Sequence, residues 1–195
     1  MFLVVGLGNP GEEYAATPHN AGFRVIDRLA GAHGIRVSRK DSQALAGVGQ
    51  IAGRPVMLAK PQTFMNLSGA AVARLMEKHR IAVGDLIVIW DELNLPWGGL
   101  RVLAKGSAGG HNGAQSVIRS VGTQEFCRVR LGVNPGHPVR DGAEYLLAPM
   151  RRPQQQELEA AEERAAEAVA SIIAEGVEKS MTKYNRRAQG SREDA

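Results

Sequence analysis

Cysteine is nearly missing from the 195-residue chain: Cys127 is the only one. That excludes an internal disulfide and a cysteine-rich metal site, and it fits a reducing, cytoplasmic setting. No apolar run approaches the roughly 18 residues of a membrane span, so no membrane partner is expected. The opening MFLVVGLGNPG has no basic n-region and no small-residue cleavage site, and reads as a first strand, not a signal peptide. No Ser stands in a G-x-S-x-G elbow, which argues against a serine nucleophile. There is no H-E-x-x-H and no close His/carboxylate cluster in the chain, so no metal and no cofactor are expected. Internal repeats and long linkers are absent too.

What remains is ordinary for a globular protein: 44% hydrophobic and 23% charged residues. The net charge of +4 is unevenly spread. Residues 1–150 carry 16 Lys/Arg against 11 Asp/Glu, and residues 151–195 carry 8 against 9. Between Pro96 and Arg130 stand five basic residues (Arg101, Lys105, Arg119, Arg128, Arg130) and one acid, Glu125. This is a modest field for a polyanion, or equally an ordinary solvated face.

Periodicity predicts a buried strand over FLVVGL (2–7) and a helix over 20–33 with Phe23, Ile26, Leu29 and Ala30 on one face. A hairpin comes next (44–51 and 55–59), then a helix over 67–80. LIVIW (86–90) and LRVLA (100–104) read as strands, and 113–121 as a short helix. CRVRLGV (127–133) alternates strictly, which predicts a strand with one wet face near a sheet edge. A last helix over 153–174 presents Leu158, Ala161, Ala165, Ala168, Val169 and Ile172 on one side. The order implies a single α/β domain over 1–185, with a twisted, mixed, mostly parallel sheet flanked by helices. The polar end, 186–195, reads as a disordered tail.

Chemistry is suggested by where polar residues fall. Asn9 comes after the first strand, Asn66 after the 55–59 strand, and Asp91 directly after LIVIW. Ligands of open α/β sheets bind beyond the carboxyl ends of the strands. Roughly parallel strands would gather these three on one rim, with His19 from the loop after the first strand. His111 and Asn112 would join from GSAGGHNG (106–113), a Gly-rich loop just after Arg101 and Lys105. A neutral His can take a proton from water, an Asp can fix its tautomer, and Asn amides can donate to an oxyanion. Plainer roles stay open: Asp91 could cap the segment after its strand, Asn9 sits in an NPG turn, and Asn66 could be a helix N-cap. GLGNPG (6–11) also matches G-x-G-x-x-G, but Pro10, Gly11 and the segment to His19 delay the helix that a dinucleotide site requires.

VGLGNPG, the T-x-H-N of TPHN, KPQTFMNLSG, DELNLP, KGSAGGHNG and RVRLG occur in this order. Together they resemble the bacterial peptidyl-tRNA hydrolase family, from about Leu3 to Leu147 and more loosely to Tyr184 and Asn185. The resemblance implies hydrolysis of the ester between a peptide and the 3′-terminal ribose of tRNA, by a cytoplasmic monomer. It implies that His19 is the general base and that Asp91 orients it. Asn9, Asn66 and Asn112 would grip the peptide and ester and position the water. Met65 would wall the cleft, Tyr14 would lie by the peptide channel, and His111 beside the tRNA path. Arg101, Lys105, Arg128 and Arg130 would hold acceptor-stem phosphates without reading sequence. An RNA-binding relative that has lost hydrolysis is the alternative; retention of the matched polar positions favours the enzyme. Pro18 stands where a basic residue is usual, and Trp97 is bulkier than the pattern predicts.

Overall fold

The computed structural model describes residues 1–185; the tail expected over 186–195 lies outside them. Seven strands form one sheet: β1 (Phe2–Gly6), β2 (Arg39–Asp41), β3 (Ala44–Ile51), β4 (Arg54–Pro61), β5 (Leu86–Pro96), β6 (Leu100–Leu103) and β7 (Cys127–Asn134). Their order across the sheet is β2-β3-β4-β1-β5-β7-β6. The central β4, β1, β5 and β7 run parallel, and β2, β3 and β6 join antiparallel at the edges. Among the described residues six helices flank the sheet: α1 (Ala21–His33), α2 (Ser68–His79), α3 (Asn112–Val121), α4 (Gly142–Leu147), α5 (Arg152–Glu175) and α6 (Val177–Tyr184). Among the described residues no helix is long and apolar enough to cross a membrane.

Strand alternation splits the core in two. Val4, Ile87, Ile89 and Val129 face one side, where Val25, Ile26 and Leu29 of α1 meet Leu158, Ala165 and Val169 of α5. Leu3, Val5, Val88 and Trp90 face the other, against Val72 and Leu75 of α2 and Val117 of α3. Both faces of the central strands are therefore covered, which is why they read as unbroken apolar runs. At the open edge, the side-chain amide of Asn185 accepts from Val102 N–H at 2.8 Å and donates to Val102 O at 2.9 Å. This closes the outer side of β6 just after α6.

Three features depart from the sequence pattern. β5 does not stop at Trp90 but continues through Asp91 to Pro96, with a register shift between Glu92 and Pro96. β7 lies next to the edge strand β6, as its pattern predicts, but its polar face is not wet: Arg128 is 0% exposed and the Arg130 side chain only 14%. β2, α4 and α6 add elements too short to leave a periodic pattern.

Candidate active site

Parallel strands place the ends of β1, β4 and β5 on one rim, and there a cleft of about 610 Å³ opens. Asn9, Tyr14, His19, Met65, Asn66, Asp91, His111 and Asn112 all line it. Arg101, Lys105, Arg128 and Arg130 do not.

His19 sits in a 3-10 turn, Pro18–Asn20, that leads directly into α1. Its Nδ1 meets Asp91 Oδ2 at 2.8 Å, with Asp91 only 1% exposed. A buried carboxylate accepts, so Nδ1 carries the proton and Nε2 keeps its lone pair. Asp91 Oδ1 accepts from His111 Nε2 at 2.9 Å. The tautomer of His111 is set from its other side, because Nδ1 accepts the Ala114 N–H at 3.1 Å as the N-cap of α3. One carboxylate thus holds two imidazoles whose ring centroids lie 4.8 Å apart.

This corrects the expectation for His111. It lines the cleft as expected, but at 7% exposure, with both ring nitrogens bound to protein, it has no free ring nitrogen to offer tRNA. It braces Asp91 instead. It also corrects the view that His and carboxylate do not cluster, since ligand atoms of His19, Asp91 and His111 lie within 4.8 Å of one another. The lone pair of His111 Nδ1 is given to Ala114 N–H and its Nε2 proton to Asp91, so His111 has no lone pair left for a metal, and in this arrangement only His19 keeps a free ring nitrogen, as acid–base work requires.

The electrostatics agree. Burial alone would lower the pKa of His19, but the Asp91 carboxylate outweighs burial and raises it above the ordinary 6.5. Burial alone would raise Asp91, yet the two imidazoles hold it far below the usual carboxylate range. Neighbouring Glu92, 4% exposed, is pushed up by burial, and Arg130 opposes that rise only in part.

The amides are arranged around this pair. Asn9 Oδ1 accepts from Met65 N–H at 3.1 Å, which ties the end of β1 to the turn after β4 and leaves the Asn9 NH2 as a donor. Asn20, the last residue of the T-x-H-N motif and given no role from sequence, holds Asn9 in place. Its side chain accepts from Asn9 N–H at 2.8 Å and donates to Asn9 O at 2.9 Å, and the residue is 3% exposed. The signal for it was its place directly after His19. Asn66 and Asn112 are exposed at the cleft, the latter as the first residue of α3. The Gly-rich loop packs tightly here: Gly109 has φ +60°, and a Cβ on it would lie 2.8 Å from Glu92 Oε1. Phe64, Glu92, Leu93, Asn94 and residues of α4 also line the cleft without having been anticipated.

The basic residues divide. Arg128 was expected on phosphates, but its buried guanidinium donates to the carbonyls of Gly106, Ser107, Gln124 and Phe126. It lies 4.3 Å from the Phe126 ring centroid, within the protein, and it ties the Gly-rich loop to the start of β7. Arg130 donates to Ser107 O at 2.7 Å and approaches Glu92 at 3.7 Å. Lys105 is exposed and Arg101 half-buried. Cys127 lies outside the cleft, and burial pushes its thiol up to about 12, so it is no nucleophile.

Known proteins resemble this chain over nearly its whole length. The family model described as Peptidyl-tRNA hydrolase matches residues 3–192. A peptidyl-tRNA hydrolase of Solibacter usitatus is 63% identical over 190 residues, covering 97% of each chain. One from Koribacter versatilis is 49% identical over 188 residues, covering 96% of this chain and 94% of its own. The crystal structure of peptidyl-tRNA hydrolase from Acinetobacter baumannii superposes with a TM-score of 0.86 at 33% identity, covering 95% of this chain and 94% of that one.

Proposed function

The chain belongs to the peptidyl-tRNA hydrolase family, and from that premise we propose that it hydrolyses the ester between a peptide and the 3′-terminal ribose of tRNA. His19 Nε2 takes a proton from a water molecule in the cleft while Asp91 stabilises the imidazolium that forms. The hydroxide adds to the ester carbonyl carbon. Amide N–H donors of Asn9, Asn66 and Asn112 meet the oxyanion and hold the peptide backbone without adding charge. Collapse of the tetrahedral species breaks the bond to the ribose oxygen, which takes the proton back from His19. The products are a peptide carboxylic acid, which loses its proton to water at neutral pH, and a free tRNA 3′ end. No covalent enzyme intermediate is needed.

The carrying observation is the 2.8 Å contact between His19 Nδ1 and a carboxylate buried at the floor of an open cleft. It supports a base whose free nitrogen serves substrate. Exposed Lys105, half-buried Arg101 and the remaining exposed part of Arg130 supply charge for acceptor-stem phosphates. Tyr14 and Met65 wall the peptide side. The test is release of free peptide from an N-blocked aminoacyl-tRNA. His19→Ala should cut turnover by about 10² or more. Undiminished turnover would remove His19 from the mechanism, and a wild type that binds tRNA without releasing peptide would make the protein a binder.

A further inference from the structure

Away from the cleft, one carboxylate is buried between two arginines. Glu162 on α5 has a side chain 2% exposed. Its Oε1 accepts from Arg24 Nε at 2.7 Å and its Oε2 from Arg28 Nε at 3.2 Å, both from α1. Arg28 ends on the exposed Glu163. Arg24 goes elsewhere: its Nη1 donates to Ala15 O at 2.8 Å and to Thr17 O at 2.7 Å. The carbonyl between them, Ala16 O, accepts from Met150 N–H at 2.9 Å, just ahead of α5. Three successive carbonyls are thereby fastened in the segment that runs from Tyr14, at the cleft, to His19.

A staple between helices would not need this design. α1 and α5 already meet through Val25, Ile26, Leu29, Leu158, Ala161 and Ala165. A buried ion pair adds little net stability over apolar filling. What a guanidinium adds is direction, because its donors are fixed in one plane. Glu162 locks Nε, and locking Nε aims Nη1 at the two carbonyls.

We propose that Arg24, oriented by Glu162, is a positioning residue for the reaction: it sets the Ala15–Thr17 backbone and so the place of His19 against Asp91 and the ester. The inference rests on His19 being the base. Asp91 anchors the ring and Arg24 anchors the chain that carries it, and a misplacement of about 1 Å at a reacting group can cost about 10²-fold in rate.

The experiment is steady-state peptide release from N-blocked aminoacyl-tRNA by the full chain. Arg24→Lys keeps a cation for Glu162, but one ammonium on a flexible stem cannot also reach both carbonyls. We expect kcat per folded protein to fall about 10-fold or more and KM to stay within about twofold, while the thermal midpoint falls by only a few degrees and leaves the variant folded at the assay temperature. Arg24→Ala should regain turnover with added methylguanidinium, while His19→Ala should not. Glu163→Gln, which alters only the exposed pair, should behave as wild type. An Arg24→Lys kcat within twofold of wild type overturns the proposal. So does a loss that tracks lost folded protein, with no chemical rescue of Arg24→Ala. A wild type that releases no peptide sinks the proposed reaction and this inference together; normal wild-type turnover beside an unaffected Arg24→Lys sinks this one alone.

Discussion

His111 donates from Nε2 to Asp91 Oδ1 at 2.9 Å, on the far side of the carboxylate from His19. The contact shares one carboxylate between two rings, and from it we predict that His111 tunes the base. His111→Asn retains an acceptor for the N-terminus of α3 but is too short to reach Asp91. Losing a hydrogen bond to a buried charge should cost about 1.5–3 kcal/mol in unfolding experiments. With Asp91 less neutralised, the pKa of His19 should rise further, and the acid limb of the rate profile should move to higher pH. An unmoved limb would deny His111 this role.

Asp91→Asn separates burial from charge at His19. In the wild type the carboxylate holds the His19 pKa above 6.5. A base must be neutral, so activity is full above that raised value and falls as pH drops through it. Without the carboxylate only burial remains, so the acid limb should shift below 6.5. Maximal turnover should fall by about 10² or more, because nothing then stabilises the imidazolium. Stability has the opposite sense: the part His19 contributes through protonation is present below pH 6.5 and is lost as pH rises through its folded value.

Arg128 and Lys105 can be told apart by salt. Lys105→Ala should raise KM, leave kcat nearly alone, and reduce the slope of log KM against log salt by about one phosphate contact. Arg128→Met should leave that slope unchanged and instead lower the thermal midpoint, since four loop carbonyls lose their donor. A changed slope for Arg128→Met would mean the guanidinium meets nucleic acid after all.

Gly69 tests how α3 is held. A Cβ there would stand 2.0 Å from Ser116 O, so α2 and α3 must part to admit it. Gly69→Ala should cost about 1–3 kcal/mol or more and lower kcat, because α3 begins beside His111. Gly31→Ala, in α1 with nothing within 4 Å, should be neutral or gain about 0.5–1 kcal/mol. Similar losses for both would show that crowding between the helices is not the cause. Urea unfolding with parallel rate measurements decides it.

Much of this architecture was legible because it rests on local rules. Runs such as FLVVG and LIVIW are apolar throughout because two helix layers cover them. The parallel course of β1, β4 and β5 then forces Asn9, Asn66 and Asp91 to one rim, so strand ends alone pointed to the site. What stayed hidden depends on tertiary partners. Arg128 and Arg130 alternate with Val129 and Leu131 as solvent-facing residues would, and only the Gly-rich loop folding over Arg128 turns that face inward. His111 is an uncommon N-cap, so neither its burial nor its grip on Asp91 showed in the pattern. Asn20 and Arg24 act on the backbone of residues 9, 15 and 17, contacts that no periodicity announces.

The pairing of Asn185 with Val102 also bears on the fate of a shortened chain. A border strand with unmet N–H and C=O groups invites a neighbour to add its own strand, and self-association begins there. Here one amide stands in for that neighbour at the middle of β6. A chain cut before residue 185 would keep its cleft and sheet yet present an adhesive border, and should clump at concentrations the longer form tolerates.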